Sequence, residues 1–380
     1  MKRTMWKYFD NPVPLELENT LQAWQSEKPG LGLLALCSER SADTVPLLQQ
    51  LANRQALPLA GAVVPGLVAD GELKSHGVLL AALDAAIPQA LIPLPQSADG
   101  TDDNAIGELA AFVEAHAGED GEDTLLLFID ALTPDIATLL DKLFLLIGNR
   151  VRYAGTNVGS ESFRSIPCLY DNTTFTAGAA LAILLPRHPG AAIAHRYCKS
   201  TPLSVATGAN GNRIAFIDGR PAFEVYRELI ASTHGVELTR ENFYQHAVHF
   251  PLALHLAEGE PLVRIAVASD ENGCLSCIGE IPEASLLSVV EAASPDSKET
   301  VHEIAGRMHP HSSAAAMTFY CAGRMLHRGA ASATSELGEL QSALAPARIF
   351  GALSLGEIAN YHGQGYPRFH NATIVALPWH

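Results

Sequence analysis

Three segments of this chain follow one plan, and that recurrence limits its possible folds more than any other feature. Each runs from a short apolar stretch through a helical pattern into a small-residue stretch ending in glycine. Those endings are GAVVPG at 61–66, AGTNVG at 154–159 and GALSLG at 351–356. A polar crossing and a returning apolar run follow each time. In the first segment, 31–36 and 77–83 read as buried strands. Between them, 41–55 reads as a helix with Val45, Leu48 and Leu51 on one face. The second places strands at 125–129, 151–158 and 173–185. Thr133, Pro134 and Asp135 open its helix, and Gly148-Asn149 closes it. The third places strands at 315–321, 349–353 and 372–377, with a helix at 334–344. Such a unit covers one face of its sheet with a helix and must bury the other against a further layer. The returns read as hairpins. The expected fold class is therefore α/β (α+β): repeated strand–helix–strand–return units forming mixed or antiparallel sheets, helices packed outside.

Between the second and third units, 213–217, the Asp218-Gly219 turn and Pro221 predict a hairpin leading into a helix. A second hairpin is expected over 263–281, and a helix over 297–308. Ahead of the units, residues 1–29 read as an arm. Its short helix would present Leu15, Leu17, Leu21 and Trp24 on one side and stop at Pro29-Gly30.

The chain is 48% hydrophobic and 17% charged over 380 residues, enough apolar content for a large core. Its formal charge of −16 argues against a nucleic-acid groove or an anionic membrane surface, both of which need clustered Lys and Arg. No run of 18 clean apolar residues predicts a membrane helix. The N-terminus lacks the apolar centre of a secretory signal, so a cytoplasmic location is expected. In that reducing setting the six cysteines (37, 168, 198, 274, 277 and 321) are expected as buried thiols.

The stretch SVATGANGNRIAFIDGRPAFEVYREL at 204–229 contains Asp218-Gly219-x-Pro221-Ala222 and Val225-Tyr226. The C-terminal run contains a Gly356-Glu357 turn and a Phe369-His370-Asn371-x-Thr373 return. With the first Gly-ending strand and its return, these stretches resemble the FIST domain family, from about residue 30 to the end. The resemblance implies a FIST N-terminal domain at 30–220 and a FIST C-terminal domain at 221–380, after the 1–29 arm. It also implies a sensory module, not an enzyme, that binds a small metabolite such as an amino acid. The signal would pass to a partner such as a histidine kinase or a cyclic-dinucleotide enzyme. One bacterial branch of similar length binds haem to sense nitric oxide and acts on a histidine kinase, which makes haem a cofactor to test for. The chain departs from the family pattern at Tyr197-Cys198-Lys199-Ser200-Thr201-Pro202, where many members have an aromatic-x-Pro turn. It also has a His-rich loop between Glu357 and Phe369.

The candidate ligand-binding residues are Gly351, Ser354, Gly356, Glu357, His362, His370 and Asn371, joined by Asn157 and Ser160 from the matching second loop. Glu357 reads either as a carboxylate for a ligand amine or as a solvated turn residue. His362 and His370 flank a Gly/Pro loop and could ligate haem iron or a metal. His370-Asn371 also reads as structural, with Asn371 capping the return strand. Cys274 and Cys277 resemble half a zinc site, yet residues three apart on a strand point to opposite faces. Met308-His309-Pro310-His311 reads as a helix end. Ala352-Leu353-Ser354-Leu355-Gly356 misses the nucleophile elbow by its first residue, and no helix pattern follows it. No Walker A, helix-opening G-x-G-x-x-G or H-E-x-x-H occurs. A small hydrolase using Ser354 or a cysteine, and a scaffold that binds only protein, remain as alternatives.

Overall fold

A computed structural model describes residues 5–94, 96–97, 100–101, 103–197, 201–257, 259–291, 298–309, 311, 313–360 and 365–379. The three repeated segments form three equivalent units. In the first, Leu31–Ser38 lies between the parallel strand Leu59–Val64 and the antiparallel strand Val78–Asp84. In the second, Thr124–Asp130 lies between parallel Arg152–Val158 and antiparallel Ala179–Leu185. In the third, Ala315–Cys321 lies between parallel Arg348–Ser354 and antiparallel Ile374–Trp379. Parallel neighbours need a crossover. The helices Val45–Arg54, Ile136–Ile147 and Ala330–Ala343 provide it. All eight residues of Leu31–Ser38 and all seven of Thr124–Asp130 and Ala315–Cys321 are buried, as central strands covered on both faces require.

After its Gly-ending strand each unit sends a short strand onto another unit's sheet. Gly66–Ala69 pairs with Arg348–Ser354 of the third unit. Glu357–Asn360 of the third pairs with Arg152–Val158 of the second. Leu169–Asp171 of the second pairs with Leu59–Val64 of the first. The exchange is cyclic and ties the units into one body. Small residues allow close strand approach within the units and, at Gly61, between them. A Cβ on Gly155 would lie 2.1 Å from the Leu127 carbonyl, and one on Gly351 would lie 2.0 Å from that of Thr318. At the matching Gly61 it would lie 2.1 Å from the Tyr170 ring.

The polypeptide between the second and third units forms an eight-stranded sheet of antiparallel pairs, from Ser204–Asn210 to Leu286–Val289. The helix Ala222–His234 packs on it through Phe223, Tyr226 and Ile230. The Tyr226 hydroxyl donates to the Phe250 carbonyl at 2.6 Å.

Four expectations are corrected. The arm is no appendage: Trp6–Phe9 adds an antiparallel edge to Val78–Asp84, and Trp6 stacks on Phe350 at 5.2 Å. Its helix, Pro14–Glu27, buries Leu17 and Leu21 but leaves Leu15 68% exposed, because residues two apart cannot share a helix face. The second helix starts at Ile136, not at Thr133, because Asp135 takes the left-handed conformation (φ 52°) and blocks an earlier start. The strands expected at 349–353 and 372–377 do not pair with each other; they flank Ala315–Cys321. Among the described residues no helix is long and apolar enough to cross a membrane.

Candidate functional site

The second and third crossovers meet through their main chains. The Asn157 amide donates to the Gly356 carbonyl at 2.8 Å, and the Leu355 amide donates to the Asn157 carbonyl at 3.1 Å. The first unit joins them where the Gly159 amide donates to the Val63 carbonyl at 2.9 Å. These contacts place Ser354, Gly356, Glu357 and Asn157 in one buried core.

Glu357 has no exposed surface. Its carboxyl accepts from the hydroxyls of Ser354 and Thr373, the latter at 2.6 Å, and from the Thr373 amide at 3.3 Å. Burial raises its pKa to about 7, with these donors pulling the other way. Across the strand pair sits His370, which burial, helped by the charges of Arg264 and His195, pushes down to about 3. Among the described residues its Nε2 has no hydrogen-bond partner, nor has the Asn371 side-chain oxygen. Ser160 faces the first unit, donating to Glu39 at 2.7 Å. His362 lies outside the described residues. Cys277 is the end of the strand Leu275–Cys277, while Cys274 just precedes it. Both are buried, and burial raises Cys277 to about 12. Among the described residues no three His, Cys, Asp or Glu side chains gather as a metal group.

Two adjoining cavities open where the second unit meets the eight-stranded sheet. One, of about 320 Å³, has Asn157 and Leu355 from the crossovers on one wall and Asn212, Cys277 and Gly279 on another. The Asn157 side-chain oxygen is buried and has no hydrogen-bond partner among the described residues. The other, of about 360 Å³, is lined by Arg264, Arg368 and Asp141 among others. Asp135, Glu280 and Phe369 belong to both. Neither cavity carries a histidine, so the described residues offer a haem iron no imidazole in either. Ser354 is fully buried and pairs with a carboxylate, not with an imidazole base.

Glu280 shapes the junction. Its carboxylate accepts from the Ala137 amide at 2.6 Å, and from the Thr138 amide and hydroxyl at 2.9 and 2.6 Å. An acid from the middle sheet thus caps the second unit's helix, where the free N–H groups and the positive end of the helix dipole favour it. That long-range cap replaces the local one expected from Thr133 to Asp135.

The sequence reading named Asn157, and Phe369 in the return motif, but missed Arg264 and Glu280. Arg264 did leave a signal, as a lone charge inside the apolar run 262–268. Glu280 left none, since its partners stand 143 and 142 positions away.

The family model for the FIST N domain matches residues 31–220, and that for the FIST C domain matches residues 222–360. No curated protein matches the chain. The two matches meet at the start of the helix Ala222–His234, dividing the eight-stranded sheet between them, and the C-domain match takes in Glu280 and the Gly356-Glu357 turn. On this evidence the chain belongs to the FIST family.

Proposed function

We propose that this protein senses a small ligand held in the paired cavities between the second unit and the eight-stranded sheet. FIST domains are associated with small-ligand sensing in signal transduction, which supports the class of function. The observation that carries the location is Asn157: a residue of the cavity wall whose buried amide oxygen has no hydrogen bond among the described residues. Leaving such a group unpaired costs roughly 1–3 kcal/mol, and a ligand N–H would recover that. The walls come from segments far apart in the chain, so an occupant would stabilise their docking. A signalling partner would read the change, through the difference in ligand affinity between the docked and loosened arrangements.

The test is thermal unfolding of the full chain against a panel of small metabolites, repeated on Asn157→Leu, which keeps the branched shape and removes the amide. The expected result is a stabilising compound whose effect shrinks in the variant. No shift from any compound, or equal shifts in both proteins, refutes the proposal.

A further inference from the structure

We propose that Arg264 anchors the carboxylate of a small monoanionic ligand in the cavity it lines. The inference rests on the ligand-sensing reading and adds the chemical class of what is bound.

Arg264 is 1% exposed. Its Nε donates to the Glu280 carbonyl at 2.9 Å, and its Nη1 donates to the carbonyls of Val263 and Phe369 at 3.0 and 3.2 Å. Among the described residues Nη2 makes no hydrogen bond, and no carboxylate lies within ion-pair distance of the guanidinium. Arg324 shows how this chain otherwise treats a buried arginine: Glu336 meets it with two bonds, at 2.9 and 2.7 Å. A buried cation left without an anion is unfavourable, and its pairing needs a hydrogen-bonded counter-charge. Glu280 is the acid whose charge acts on Arg264, but both its oxygens serve the helix start. Burial lowers the Arg264 pKa to about 10, so it remains charged at neutral pH.

The remaining donor edge faces a cavity of about 360 Å³, a size suited to a small metabolite. A planar carboxylate matches a planar guanidinium. Asp135, Asp141 and Glu280 line the cavity with Arg264 and Arg368, and the carboxylates' repulsion is twice as large for a dianion, which favours a monocarboxylate over phosphate.

The experiment titrates the full-length protein calorimetrically with acetate, lactate and 3-phenylpropionate, each beside its carboxamide, and with inorganic phosphate. At least one acid should bind roughly tenfold tighter than its amide, the scale of one charge-assisted hydrogen bond. Arg264→Lys, which keeps the charge and loses the fork, should weaken that acid by about as much. Asp141→Asn should tighten it and serves as the reporter should Arg264→Lys fail to fold. The proposal is overturned by any of the following: equal affinity for acid and amide, no binding by any acid, phosphate binding tightest, or acid binding untouched by these substitutions. A panel compound that is sensitive to Asn157→Leu but indifferent to Arg264→Lys would leave the sensing reading standing and remove this one.

Discussion

Glu357→Gln gives a direct reading of the buried crossover core. Folded, Glu357 holds its proton up to about pH 7, against 4.5 as a free side chain. Between those values the folded state binds more protons than the unfolded chain. The stability contributed by the neutral acid is therefore full below the lower value and is lost as pH rises through the window. A difference of two to three pH units corresponds to about 3 kcal/mol at 1.36 kcal/mol per unit. Glutamine mimics the protonated acid: its oxygen accepts where the acid's carbonyl oxygen does, and its NH₂ donates toward a Ser354 or Thr373 hydroxyl. The variant should match wild type near pH 4.5 and exceed it by about 3 kcal/mol at pH 8.5. For a chain of this length that is an increase of about 4 °C in Tm, from an unfolding entropy of about 2.1 cal/mol/K per residue. The assay is thermal unfolding of both proteins between pH 4.5 and 8.5. Parallel curves would refute the reasoning, since they would mean that Glu357 titrates at its ordinary value.

Glu280→Ala removes three hydrogen bonds and a negative charge from the start of Ile136–Ile147. We expect faster amide hydrogen exchange at Ala137 and Thr138, by about 30-fold or more for a loss of about 2 kcal/mol. Unchanged exchange there would count against the cap. Glu336→Ala strands the buried Arg324 without its carboxylate. It should cost about 3–5 kcal/mol, read as a lowered unfolding midpoint in urea, and a loss below 1 kcal/mol would contradict that burial.

The three-unit plan was legible because it rests on local signals. Runs such as Leu31–Ser38 and Thr124–Asp130 are apolar along their length, and only a strand covered on both faces accommodates that. Gly155 and Gly351 recur at matching places because a neighbouring carbonyl occupies the space of their Cβ atoms. The family resemblance drew on the same stretches, and both family models matched. Leu15 misled the reading of the arm, because a leucine beside real core positions carries no mark of which way it faces.

Local hydrophobic pattern and turn signals settled the strands and helices of the three units, and marked the small-residue strand that closes each. Tertiary structure decided the cyclic exchange of strands, the capping of one helix by Glu280, and the isolation of Arg264 beside a cavity. The reason is physical. Hydrophobic pattern and backbone sterics act over a few residues, whereas the fate of a charge or an unpaired amide depends on whatever packs against it from hundreds of positions away.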